Sequence, residues 1–246
     1  MKYITIFILF LHAFANAQDK QPMFFKVYSV STTPENLAYG PIDESNEVTF
    51  KRKQRSPFYK IAKTNKIVFY DRDKPLNEDG KLNIIAKASI SPSIKQPLLV
   101  FVPTERKDDG TQLFDIITLD DNSKAFSGGK SYFINLTKSK VALVFGKKNE
   151  NKIFINPKQA KAHEISSGHV GNLPFKVYIS DNKTAKLAVN SYLFPTKKGR
   201  SVYFIWPKTN PSGKGNLVKI DLMRQNAAQI ERDDKDLIEL KLNKSG

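Results

Sequence analysis

Between Pro97 and Pro157 the chain carries four short apolar runs: Leu98–Val102, Leu113–Ile117, Tyr132–Leu136 and Val141–Phe145. A briefer fifth run follows at Ile153–Ile155. Each is about as long as an ordinary strand and is rich in β-branched and aromatic residues, which fit a pleated, half-buried surface. Turn-forming clusters separate them at Lys107–Gly110, Ser127–Gly129 and Gly146–Asn149. This rhythm predicts a meander of antiparallel strands.

The same punctuation continues on both sides. Phe24–Val30, Val48–Phe50 and Leu82–Ala86 read as strands, and Phe58–Ile61 with Lys66–Tyr70 as a hairpin across Lys63–Asn65. From Lys158 to Gly171 the apolar pattern lapses, which predicts a linker or crossing loop with a helical turn over Lys158–Glu164. A second strand group follows at Phe175–Ile179, Lys186–Val189, Ser201–Trp206 and Asn216–Ile220. Arg224–Asp233 reads as a short helix, and Asp236–Leu242 as a closing strand with Ile238, Leu240 and Leu242 on one face. The expected fold class is all-β: antiparallel, immunoglobulin-like β-sandwich in one or two packed domains, with at most short helices. The expected division is a leader at 1–17, an N-terminal sandwich domain at 18–165 and a C-terminal β region at 166–246.

Two hairpins resemble each other. Leu99–Pro103 followed by Leu113–Ile116 parallels Tyr203–Pro207 followed by Leu217–Ile220, with the same spacing from proline to leucine. Either a sandwich unit is duplicated or one sheet system holds two similar hairpins.

The amino terminus has the form of a secretory signal. Lys2 supplies a positive start, Ile4–Ala15 is almost continuously apolar, and Ala15-Asn16-Ala17 gives the small-x-small cleavage pattern. There is no cysteine, so disulfides, thiolate metal sites and a thiol nucleophile are excluded. A chain of 246 residues with 40% apolar content has enough core to dispense with bridges. Together these features predict a bacterial protein that is secreted or periplasmic, with no transmembrane segment once the leader is cleaved. The sequon Asn135-Leu136-Thr137 lies inside a predicted strand and reads as chance.

No catalytic motif emerges. The chain lacks a phosphate-binding glycine loop, a Gly-x-Ser-x-Gly elbow and a His-Glu-x-x-His pair. His163 and His169, with Glu164, sit in a flexible Ser-Gly context that positions metal ligands poorly. Ser166 and Ser167 have no identifiable orienting acid. Asp71–Gly80 fails the calcium-loop spacing because Lys74 and Pro75 fill ligand places. The pairs Asp108-Asp109, Asp120-Asp121 and Asp233-Asp234 read as solvated turns. No catalytic residue, metal ligand or cofactor is therefore assigned.

Charge and aromatic residues point instead to binding. Forty Lys and Arg against twenty-four Asp and Glu leave a net charge of +16, which speeds encounter with anionic partners without specifying a fold. Lys51, Arg52, Lys53 and Arg55 form the densest basic cluster, either a solvated edge strand or a contact for phosphate or acidic polysaccharide. Tyr203, Phe204 and Trp206, with Tyr192 and Phe194, form the densest aromatic group, flanked by Lys197, Lys198, Arg200 and Lys208. One reading makes these rings core; the other makes Tyr192, Arg200, Tyr203, Trp206 and Lys208 a platform that stacks on sugars or grips an anionic chain.

The succession Tyr132–Thr137, Val141–Gly146 and Ile153–Pro157 resembles a pattern in uncharacterised secreted bacterial β-sandwich proteins, which implies fold and location only. In size, basic charge and leader the chain is also similar to periplasmic pilus chaperones, which have two immunoglobulin-like domains. The resulting expectation is an exported non-catalytic protein that binds or assembles a cell-envelope component, with a protein or an anionic polymer as partner and no nucleic acid. The alternatives are an enzyme acting on polysaccharide or peptidoglycan and a chaperone-like assembly factor.

Overall fold

The computed structural model describes residues 22–108, 110–146, 151–165, 171–181, 184–208 and 217–243. The predicted leader, residues 18–21, and Ser166, Ser167 and His169 lie outside the described residues.

The molecule is mostly β, with packed, largely antiparallel sheets. Eight strands come first: β1 (Pro22–Ser29), β2 (Leu37–Tyr39), β3 (Asn46–Val48), β4 (Tyr59–Ala62), β5 (Lys66–Asp71), β6 (Ile84–Ser89), β7 (Pro97–Asp108) and β8 (Thr111–Asp120). Eight more follow: β9 (Lys130–Asn135), β10 (Val141–Phe145), β11 (Asn151–Ile155), β12 (Ala160–Glu164), β13 (Leu173–Asp181), β14 (Thr184–Leu193), β15 (Arg200–Pro207) and β16 (Val218–Gln225). A single α-helix among the described residues, α1 (Ala227–Leu242), ends the fold.

The pairing shows a duplication. In the second half the sheets run β11-β10-β13-β14 and β12-β9-β15-β16. In the first half the orders β3-β2-β5-β6 and β4-β1-β7-β8 match them strand for strand, each eight places earlier. Directions match as well. β1 lies antiparallel to β4 and parallel to β7, just as β9 lies antiparallel to β12 and parallel to β15. A bulge recurs at the same place, with one extra residue at Ile85 on β6 and at Ala188 on β14. The similar hairpins noted in the sequence are β7–β8 and β15–β16. An immunoglobulin sandwich pairs its strands 1-2-5-4 against 3-6-7, and the present orders share with it the pairing of second and fifth strands.

One pairing breaks the symmetry. β6 and β8 join in parallel through Ala86↔Phe114 and Lys87↔Asp115, which fuses the first unit into one eight-stranded sheet. That sheet curls on itself. Tyr39 on β2 meets Phe25 on β1 edge to face at 5.2 Å, although the two strands are far apart in sheet order.

Three apolar cores explain the unbroken runs in the sequence. Phe25, Phe69, Leu99 and Phe101 fill the first unit. Phe133, Leu143, Val177, Tyr203 and Ile205 fill the space between the sheets of the second. A third core, with Tyr28, Leu98, Val100, Ile134, Val202 and Phe204, cements the two units together. Strands β7 and β15 are thus buried on both faces, so both their odd and even positions must be apolar. Phe204 stacks on Tyr28 at 5.4 Å across this seam, and burying such a ring contributes about 2–3 kcal/mol.

Several expectations need correction. The Pro97–Pro157 meander stops after β7–β8, because β9 pairs with β12 and β15 instead of β8. β4 and β5 are not a hairpin; β4 pairs with β1, and β5 with β2 and β6. Ala160–Glu164 is strand β12, held by β9, where a helical turn was expected. Strand pairing is confined to β1–β8 and to β9–β16, with the change between Asp120 and Lys130. Asp236–Leu242 is the second half of α1. Asn226 and Gln229 form a reciprocal capping box, and the helix continues with half-buried Ile230, Asp233, Asp234 and Leu237 on one face. Ile238, Leu240 and Leu242, expected to share one face of a strand, are exposed on the helix. No helix of the described residues is long and apolar enough to cross a membrane.

Candidate functional site

The seam that closes the first unit stands open in the second. β14 and β16 occupy the places of β6 and β8, yet they are not paired as neighbours in a sheet. The Leu217 amide donates to the Ala188 carbonyl at 3.2 Å, at the bulge on β14. Beyond that point the strands leave a groove of about 380 Å³. Its base is Phe175, Val189, Tyr203 and Val218, all buried. Its rims carry Tyr192, Phe194 and Leu222, exposed to 57%, 56% and 44%. Lys208 and Arg224 add positive charge, and the Arg224 Nη2 donates to the Phe194 carbonyl at 3.1 Å.

Both walls are edge strands, and an edge presents backbone donors and acceptors to any extended chain laid beside it. Tyr203 anchors the base by stacking on Phe133 at 4.9 Å. Burial pushes its phenol pKa up, with nearby Arg224 pulling the other way. Ser191 lines the groove, but no carboxylate or imidazole does among the described residues, so no general base stands ready to activate it. The surface can stack, hydrogen-bond and attract negative charge.

A second feature lies where both units meet α1. Lys51 and Gln54 close a tight turn with Lys53 at φ 55°, leaving Lys51, Arg52 and Lys53 exposed. The Arg55 side chain turns inward, only 6% exposed, and its Nη2 lies 3.1 Å from Asp121 Oδ1. Arg200 meets the same oxygen at 3.3 Å and is itself 1% exposed. Its Nε donates to Gln225 Oε1 at 2.7 Å, and its Nη1 to the carbonyls of Asp121 and Phe126 at 2.9 and 3.0 Å. Lys26, buried on β1, lies 2.6 Å from Asp233 Oδ1 on α1 and 4.2 Å above the Phe58 ring. Burial pulls the Lys26 pKa down, while Asp233 supports its charge. Between the Lys51–Phe58 loop and α1 runs a cleft of about 550 Å³, lined by Lys26, Lys51, Lys53, Arg55 and Asp233 among others.

The residues singled out in the sequence therefore divide. Tyr192, Tyr203 and Lys208 share the groove. Trp206 faces the other way, against the core between the units, with Lys219 over its ring at 5.3 Å. Arg200 is part of the buried ion network, because charge pairing with Asp121 and three further hydrogen bonds repay its removal from water. Lys51, Lys53 and Arg55 line the cleft, and Arg52 is exposed outside it. Sequence reasoning passed over Leu222, Lys26, Asp121 and Asp233. The two acidic residues were read as solvated, yet Asp121 is 1% and Asp233 17% exposed, each in an ion pair. Lys26 stands amid an otherwise apolar run of β1, which is the one local sign of a buried charge.

Among the described residues no three His, Asp or Glu side chains converge as metal ligands. No family model matches the chain, and no curated protein matches it either.

Proposed function

We propose that this protein is an exported, non-catalytic binder of a cell-envelope component, and that it holds an extended protein segment in the groove between β14 and β16. One observation carries the reading. The first unit zips its seam by pairing β6 with β8, whereas the duplicated seam in the second unit is open and flanked by exposed rings. A guest strand laid there would bond to both edges and cover Tyr192, Phe194 and Leu222, a recurrent mode of peptide capture. The cations along the rims favour a segment with acidic residues. Export rests on the leader read from Ile4–Ala17.

The test is capture from an envelope extract at low and raised salt, followed by hydrogen exchange on the captured complex. Slower exchange at Ser191–Leu193 and Lys219–Arg224 is expected, with capture abolished by Leu222→Asp. Phe154→Asp, at an exposed site on the remote edge strand β11, serves as the control and should capture normally. Undiminished capture by Leu222→Asp, or protection confined to another edge, would overturn the reading.

A further inference from the structure

The cleft beside α1 has no part in the groove reading and stands or falls separately. We propose that it is an oxyanion-binding site, with Lys26 and Arg55 as the binding residues, and that the Asp233 carboxylate occupies it in the resting state. The incoming ligand carries a carboxylate or phosphate head that displaces Asp233, and α1 moves aside to admit it.

Three observations converge. Lys26 and Arg55 are both more than nine-tenths buried in their side chains and both line the cleft. Arg55 Nε is buried with no hydrogen-bond partner among the described residues, a donor left over after Nη2 has met Asp121. A guanidinium presents its donors as a fork that suits two oxygens of one planar or tetrahedral anion, and a buried donor left unmatched is costly. The buried cluster also holds more cations than carboxylates, with Lys26, Arg55 and Arg200 against Asp121 and Asp233. An anion that takes the place of Asp233 therefore brings no uncompensated negative charge, even where it carries two charges.

The helix that carries the present occupant is lightly docked. α1 has no fully buried residue, so its attachment depends on a half-buried face and on the bonds that Asp233 makes to Lys26 and Gln225. A helix docked in this way opens more easily than one sunk in a core. Lys51, Lys53 and Arg232 line the cleft together with Asp236 and Glu239, and with Lys26 and Arg55 the lining cations outnumber its carboxylates, which favours anions. A volume of about 550 Å³ exceeds what a lone phosphate needs, so the head group belongs to a larger ligand.

The experiment titrates the full chain calorimetrically with inorganic phosphate and with glutarate, and follows exchange of the Ala227–Leu242 amides. Binding is expected to speed exchange in α1. Asp233→Asn, which removes the resident competitor, should tighten binding by about tenfold, since less of the protein is held in the closed state. Lys26→Met and, independently, Arg55→Gln should abolish it, and Asp236→Asn should change it much less than Asp233→Asn. Tighter binding of phosphate or of glutarate tells which head group the site prefers. Anion affinity that ignores both Asp233→Asn and Lys26→Met would overturn the proposal. So would binding to the wild-type chain that leaves α1 exchange unchanged, a readout that requires no variant to fold.

Discussion

Replacing Arg200 by methionine should be among the most damaging single changes available to this protein. The side chain is 1% exposed and spends four donor contacts inside the molecule: Gln225 Oε1, the Asp121 and Phe126 carbonyls, and Asp121 Oδ1. Methionine fills much of the same space over the Phe126 ring, 5.0 Å from the guanidinium carbon, so packing loss is small. The damage is electrostatic. Asp121 retains Arg55, but Gln225 and two buried carbonyls lose their donor. Removing one member of a buried pair costs about 3–5 kcal/mol, and about 4 kcal/mol is expected here. That is a large share of the roughly 5–15 kcal/mol that holds an ordinary domain together. In a chain of this size it lowers Tm by about 8–16 °C.

Urea unfolding followed by tryptophan fluorescence gives a direct reading, because the sole tryptophan, Trp206, packs against the core between the units. A double-mutant cycle with Asp121→Asn should show coupling of about 1–3 kcal/mol. A loss below about 1 kcal/mol for Arg200→Met, or strict additivity with Asp121→Asn, would refute the account of Arg200 as a buried cation held by Asp121.

Two further outcomes follow from local geometry. His163 stacks on Phe145 at 4.7 Å, and burial depresses its pKa below 6.5, with Glu164 opposing. A depressed folded pKa means that the unfolded chain takes up the proton first as pH falls. The contribution of His163 is therefore intact above 6.5 and is lost as pH drops through the folded value. Urea midpoints between about pH 7.5 and 5 should fall more steeply for the wild type than for His163→Phe, and parallel curves would count against this. A Cβ on Gly128 would lie 2.7 Å from the Lys198 carbonyl oxygen, a backbone atom that cannot swing away. Gly128→Ala should cost about 1–3 kcal/mol, read as a lower Tm, and an unchanged Tm would show that the 128–198 contact is slack.

Strand content was legible because β-branched and aromatic runs are a local property. Leu98–Val102 of β7 and Ser201–Trp206 of β15 showed as apolar runs, and the shared spacing from Pro103 to Leu113 and from Pro207 to Leu217 carried a trace of the duplication. Partners were not legible. Whether Leu113–Ile117 continues into Tyr132–Leu136 as a meander depends on which sheet the chain enters after Asp120, and apolarity is blind to that. The groove shows the same limit. Tyr192 and Lys208 stood out by residue type, but Leu222 became part of the site only because β16 fails to pair with β14.

Asp236–Leu242 and Arg200 mark the boundary most clearly. An apolar residue at every second position in Ile238–Leu242 is compatible with a strand, but the Asn226–Gln229 cap nucleates a helix upstream that runs through it. Arg200 is charged, so residue type alone places it at the surface; folding brings Asp121 and Gln225 around it and makes the interior a tolerable place for a cation. The sequence alone determined where strands form, since backbone preference and side-chain shape act over a few residues. Only the tertiary structure decided which edges stay open and which charges are buried, because both depend on groups that meet from distant parts of the chain.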